Sequence, residues 1–237
     1  MDKTSYDVIM TVIASRGEIY DQLIIEYWVP MIRFVNSHYP SIHIIMMFGK
    51  DDTTSGLTLK DKNIFYGTKP DSLVPGIYDK TLECFKHIES SFQYKHILRT
   101  NVSSFFIIDH LLKYSKSLSN SNIYAGFIGI HLNMSFCSGS GFWLSPDIVK
   151  QLIYNQHHED RNTFPDDVAI SRILKHVPRT ELPRFDLVYD IDIRDKYKLL
   201  KDIIDKGMYH IRIKNSKNRQ LDIDYVKSFT KILYHTN

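Results

Sequence analysis

The sequence predicts an α/β protein: one domain with a mostly parallel central sheet flanked by helices. Three observations carry this. Short apolar, β-branched runs alternate with helical patterns from the N-terminus onward, the signature of strand–helix units. Prolines stand where several of the intervening helices would open, a position that tolerates them. The chain has 237 residues, 43% of them hydrophobic, which suits one large core.

The elements follow in order. Val8–Ile13 is the first strand. Ile19–His38 carries apolar residues at helical spacing (Leu23, Ile24, Tyr27, Trp28, Met31, Ile32, Val35), with Pro30 expected to kink or split it. "IHIIMMFG" (Ile42–Gly49) is a second buried strand, closed by Gly49 and a turn-like "KDDTTSG". Ile64–Tyr66 is a short third. Pro75 opens a helix that runs through Ile88, and His96–Leu98 is the fourth strand. Phe105–Leu118 starts extended and turns helical near Asp109. Ile123–Ile130 is a further strand. Cys137–Leu152 reads as a Gly/Ser-rich turn, an aromatic pair and a helix opened by Pro146 with Ser145 as N-cap. Helices are expected at Asp166–Lys175, Asp195–Lys206 and Asp222–Leu233, and a short strand within Gly207–Asn215. The domain is expected to span residues 1–215, with 216–237 forming a C-terminal helix packed on it.

Composition narrows the function classes. Thirty basic and 27 acidic residues leave a net charge of +3, with no block of like charge. That excludes an obvious nucleic-acid face and fits a small anionic ligand. Cys84 and Cys137 stand far apart without a zinc pattern and read as reduced thiols. No secretory signal is read at the start, and no apolar run reaches the ~18 residues of a membrane span. A cytoplasmic protein is the expectation. No P-loop, G-x-S-x-G or Gly-rich dinucleotide turn is present, so common nucleotide hydrolases are disfavoured.

In parallel α/β sheets, ligands sit at the carboxyl ends of the strands. That rule puts Ser15–Arg16–Gly17, Gly49–Asp52 and Arg99–Ser103 on one rim. "HILRTNVSSFF" (His96–Phe106) leaves a strand, passes through small polar residues and turns apolar again. "GSGFWLS" (Gly139–Ser145), "FPDDVAIS" (Phe164–Ser171) and "GMYHIRIKN" (Gly207–Asn215) follow. The last presents His210, Arg212 and Lys214 on one face of a strand, since alternate residues share a face.

In this order and spacing, the motifs resemble those of the GT-A-fold glycosyltransferases, and among them the inverting β-1,3-glycosyltransferase and Fringe-like group. "YDKTLECF" with "YKHILRTNVSSFF" is similar to that group's lysine-threonine helix and "K-T-D-D-D-T-F" strand end. "GSGFWLS" is similar to its "G-S-G/A-G-[FY]-x-[LI]-S" element, and "FPDDVAIS" to its "[LE]-[PE]-D-[DV]-V-x-x-G" element. The resemblance covers roughly Asp61 to Asn215. It implies transfer of a hexosyl or N-acetylhexosaminyl group, with inversion, from a nucleotide sugar (a UDP-sugar) to a hydroxyl of a glycan, protein or lipid. It implies Asp167 as general base with Asp166 as the alternate, because an acceptor hydroxyl must lose its proton as the bond forms.

One departure stands out. Where the family's DxD acids hold manganese or magnesium on the donor diphosphate, this chain has Asn101, Val102 and Ser103. Neutral oxygens ligate a hard cation weakly. His210, Arg212 and Lys214 are therefore the candidates to meet the diphosphate charge. Ser15, Arg16 and Arg99 join Asn101 and Ser103 as donor-binding candidates, and Phe142 and Trp143 are candidate sugar platforms for the acceptor. Each has a plainer reading. The two aspartates also suit a helix N-terminus, and the aromatic pair also suits a core. "HIRIK" also suits an edge strand. The literal D-x-D matches at Asp190–Asp192 and Asp222–Asp224 are expected by chance, and "HHED" (His157–Asp160) reads as a solvated turn. A catalytically inactive nucleotide-sugar or glycan-binding module on the same fold is the alternative function.

Overall fold

A computed structural model describes residues 3–54, 56–187, 196–215 and 217–234. In chain order the strands and helices are β1 (Thr4–Ile13), α1 (Glu18–Leu23), α2 (Val29–His38), β2 (Ile42–Phe48), β3 (Ile64–Tyr66), α3 (Gly76–Ser91), β4 (Phe92–Asn101), β5 (Ser104–Phe106) and α4 (Ile108–Ser115). They continue with β6 (Tyr124–His131), β7 (Met134–Leu144), α5 (Pro146–Tyr154), α6 (Asp166–Ile173), β8 (Thr180–Glu181), β9 (Phe185–Asp186), α7 (Lys196–Asp205), β10 (His210–Arg212) and α8 (Gln220–Leu233).

Seven strands form the central sheet in the order β3-β2-β1-β4-β7-β6-β8. β1 runs parallel to both β2 and β4, and β3 parallel to β2. β7 reverses direction against β4 and against β6. The chain goes from β1 to β2 on one side and returns to β4 on the other, so the strand order switches at β1/β4. A crevice opens at the carboxyl ends of such a pair. A second sheet of β5, β10 and β9 lies beside it.

The strands are apolar on both faces because both are covered. Val8, Met10 and Val12 of β1 pack with α1, α2, α4, α7 and α8, while Ile9 and Ile13 pack with α3, α5 and α6. Pro30 has no N–H to offer the preceding turn. The helix accordingly widens into a π turn at Ile24–Trp28 between α1 and α2. α8 belongs to the same core as the first helices: Phe105 stands edge-on to Phe229, with ring centroids 5.6 Å apart, and stacks on Tyr27 at 4.3 Å. Among the described residues, no helix is long and apolar enough to cross a membrane.

Two local expectations are corrected. Cys137–Gly141 is not a turn but the middle of β7. Its glycines are used to admit neighbouring side chains against the strand, as described below. Ser145 holds the N-cap position of α5 but does not cap it. Its hydroxyl donates to Asp147 Oδ1 at 2.5 Å and accepts from the Ile123 amide at 2.9 Å.

Among the described residues, three histidines are buried: His43, His96 and His210. Burial pushes His43 down to about 4, helped by nearby Lys62, and pushes His96 and His210 down as well. In the unfolded chain these imidazoles bind a proton near pH 6.5. Stability is therefore fully present above that pH and is lost as pH falls from 6.5 toward the folded values. For His43 the loss at pH 5 is about 2 kcal/mol. The expected result is a melting temperature that drops between pH 7.5 and pH 5. His43→Phe, which keeps the ring stacked on Tyr6, should lessen that drop in calorimetric scans and leave the share of His96 and His210.

Candidate active site

The ends of β1, β4 and β10, the middle of β7, the N-terminus of α6 and the turn before α8 surround a cavity of about 320 Å³. Ser15, Asn101, Ser103, Gly139, Asp167, Arg212, Lys214 and Arg219 line its polar side. Tyr20, Leu73 and Ile77 line an apolar side.

The polar turn after β4 is built by its own side chain. Asn101 Oδ1 accepts the Ser103 amide at 3.1 Å, an Asx turn that reverses the chain into β5. Val102 points the other way and is buried, its carbonyl accepting the Trp28 indole N–H at 3.1 Å. Asn101 Nδ2 donates to the Gly139 carbonyl at 2.9 Å, and Arg212 Nη1 donates to Asn101 Oδ1 at 2.5 Å. Arg219 Nη2 donates to Ser103 Oγ at 3.0 Å.

The two adjacent acids are treated differently. Asp166 is buried and ion-paired with Arg99. Burial raises its carboxyl, Arg99 opposes that, and the Asp167 charge adds to it. Both acids line the cavity, and Asp167 is the more exposed of the two. Its Oδ2 accepts the Gly139 amide at 2.8 Å and its Oδ1 the Val168 amide at 2.9 Å.

Opposite lie three cations. Arg212 is pushed down to about 10 by burial and then by Arg184 and Arg219, so it remains charged at neutral pH. Lys214 is pushed down by burial, then by Arg212 and Arg219. Arg219 is paired with Asp222 at 2.5 Å. Like charges held this close repel one another and favour an anion between them.

Other expected site residues are placed elsewhere. Arg16 forms a two-pronged pair with Asp21 at 2.7 and 3.1 Å and does not line the cavity. Ser15 lines it, with its hydroxyl donating to Asp71, whose other oxygen takes the buried Lys80 ammonium at 2.7 Å. Arg99 reaches the cavity wall but is only 2% exposed. Its terminal nitrogens each donate inward, to Asp166 and to the Gly139 carbonyl, so it is anchored in the cavity wall. Phe142 and Trp143 are fully buried and cannot act as sugar platforms. Phe142 packs under the Arg99 guanidinium at 5.3 Å, and Trp143 donates to the Tyr209 hydroxyl at 3.0 Å. His210 lies beneath the site, neutral and stacked on Phe106 at 4.8 Å, so it does not serve as a phosphate cation. Arg219 escaped sequence reading because it follows the basic strand, in the Asn/Ser-rich turn before α8. Its only signal was nearness to "HIRIK".

Asn101 and Ser103 do not fit a divalent cation. Asn101 Oδ1 and Ser103 Oγ already accept from guanidinium groups, which would lie against any metal there. Among the described residues, no three His, Cys, Asp or Glu side chains converge. Asp190–Asp192 lies outside the described residues. Asp222 is taken by Arg219 and the Asn215 amide, and Asp160 by Arg172 and His158.

Gly141 faces the His210 ring so closely that a Cβ would lie 2.8 Å from its Cε1. Phe106 blocks retreat on the far side. Gly141→Ala is expected to cost about 1–3 kcal/mol in urea unfolding, the usual range for overpacking.

No protein-family profile and no curated relative matches the chain. Solved structures do match in fold. The glycosyltransferase GlyE of Streptococcus pneumoniae TIGR4 aligns over 99% of this chain and 66% of its own, with 13% identity and a TM-score of 0.51. The present chain thus spans about two thirds of that protein's length. The 4-diphosphocytidyl-2C-methyl-D-erythritol synthase of Anaerococcus prevotii DSM 20548 aligns over 95% and 96%, with 14% identity and a TM-score of 0.52. A glycosyltransferase involved in glycosylation of the major capsid of PBCV-1 aligns over 93% and 99%, with 9% identity and a TM-score of 0.51. The fold is the GT-A, nucleotide-diphospho-sugar transferase fold.

Proposed function

We propose that this chain transfers a sugar from a nucleotide-sugar donor, a UDP-sugar, to a hydroxyl of a glycan, protein or lipid acceptor, with inversion and without a protein-held metal. The observation that carries the reading is one accessible carboxylate, Asp167, sharing a cavity at the strand-order switch with three cations, Arg212, Lys214 and Arg219. In the displacement, the acceptor oxygen bonds to the anomeric carbon as its proton passes to Asp167. The bond to the diphosphate breaks, and its electron pair stays on the leaving nucleoside diphosphate. Arg212 and Lys214 meet the negative charge that builds there, with Arg219 behind them. The apolar side at Tyr20, Leu73 and Ile77 suits the nucleoside.

A second reading, a binding module without turnover, is supported by the state of the acids. Both oxygens of Asp167 already accept backbone amides, and Asp166 is paired with Arg99. A panel of UDP-, GDP- and CDP-sugars, read by thermal shift and by release of nucleoside diphosphate, separates the two. Transfer predicts stabilisation by one donor and release that depends on an acceptor. Stabilisation without release under any condition favours the module. No stabilisation by any donor rejects both.

A further inference from the structure

The peptide at Gly139 is gripped on both edges. Its carbonyl accepts Arg99 Nη1 at 2.6 Å and Asn101 Nδ2 at 2.9 Å, and its amide donates to Asp167 Oδ2 at 2.8 Å. The other arm of Arg99 holds Asp166. The grip explains the glycine: a Cβ at 139 would lie 2.4 Å from Arg99 Nη1 and 3.1 Å from Asp167 Oδ2. Arg99 itself is fixed from below by Phe142, its partner across the β4–β7 ladder. It is 2% exposed at the cavity wall and connects both acids, Asp166 directly and Asp167 through the Gly139 peptide.

We propose that Arg99 is a positioning residue: it cancels the charge of Asp166 and fixes the Gly139 peptide, so that Asp167 alone is left, aimed into the cavity, to take a proton. Its catalytic half rests on the transfer reading; its electrostatic half does not. The largest charges acting on Asp166 are Arg99 from β4 and Asp167 from its own helix. Remove Arg99, and a buried carboxylate faces a second carboxylate with no counter-charge. Asp166, whose carboxyl burial already pushes up to about 6 with Arg99 in place, then keeps its proton to a higher pH.

The test uses Arg99→Met, Arg99→Lys and Gly139→Ala. Carbon-13 carboxyl resonances of labelled aspartate, titrated without substrate, report the proton directly. In Arg99→Met, Asp166 is expected to titrate at least about one pH unit higher than in wild type. Arg99→Lys keeps a charge there and should stay near wild type. With turnover, the acid limb of kcat should move with the resonances in Arg99→Met. kcat should fall roughly 10- to 100-fold in Arg99→Met and Gly139→Ala through misplacement of Asp167, with donor KM little changed. Arg99→Lys should recover the limb but not the full kcat, because one ammonium cannot span both partners. If Arg99→Met does not fold, Gly139→Ala still tests the aim of Asp167, and Arg99→Lys still tests charge against geometry. An acid limb and resonances that match wild type in Arg99→Met overturn the inference. So does a raised donor KM with unchanged kcat, which would make Arg99 a donor contact. If wild type shows no turnover, the transfer reading fails, and the resonances alone then uphold or overturn the role of Arg99.

Discussion

Asp167→Asn is expected to lower turnover by roughly 10²–10⁴-fold, the usual share of a general base, while leaving donor affinity nearly intact. Asparagine has the same size and keeps one oxygen for the Gly139 amide, so the β7–α6 contact survives, while the Val168 amide loses its side-chain acceptor. What is lost is the proton acceptor. The neighbouring substitution separates chemistry from structure. Asp166→Asn strands the Arg99 guanidinium in the core, and breaking such a buried pair costs about 3–5 kcal/mol of stability. Steady-state kinetics with denaturant unfolding reads both. Turnover near wild type in Asp167→Asn, with a stable and inactive Asp166→Asn, would assign the base to the other carboxylate.

Arg212→Ala is expected to weaken binding of the nucleotide donor by about 1.5–3 kcal/mol, the worth of a hydrogen bond to a charged group. Lys214→Ala should act in the same direction. Lys214→Ala should not destabilise the empty protein through lost charge, because it relieves repulsion from Arg212 and Arg219; Arg212→Ala relieves repulsion from Arg184 and Arg219 but also loses the bond to Asn101. A melting temperature held or raised without ligand, together with lost affinity, is the pattern of a site built for an anion. Lost stability with unchanged affinity would mark these residues as structural.

The order of strands and helices was legible because buried strands and Pro-opened helices leave local patterns. Val8–Ile13, Ile42–Phe48 and the Pro146 helix needed no long-range information. Part of the cavity wall was legible too: Ser15, Asn101, Ser103 and Asp167 line it, whereas Arg16, Gly17 and Gly49–Asp52 of the expected rim do not. What escaped reading depended on partners far along the chain. Arg99 looks like a donor contact until Asp166, 67 residues away, occupies it. Gly139 and Gly141 look like a turn because their reason is the Arg99 guanidinium and the His210 ring pressed against their Cα atoms. Phe142 and Trp143 pattern equally well as a platform or as core, and only the layer above them decides. Arg219 sits outside any periodic element, so nothing local marked it.

The central claim is a nucleotide diphosphate held by protein cations in place of a metal. Titration calorimetry of the wild-type protein with UDP tests it most directly, once in EDTA and once in manganese. The account predicts binding in both, with dissociation constants that agree within about threefold, under 1 kcal/mol. Binding that disappears in EDTA and returns in manganese would contradict it, and would place a metal on Asn101, Ser103 or carboxylates outside the described residues.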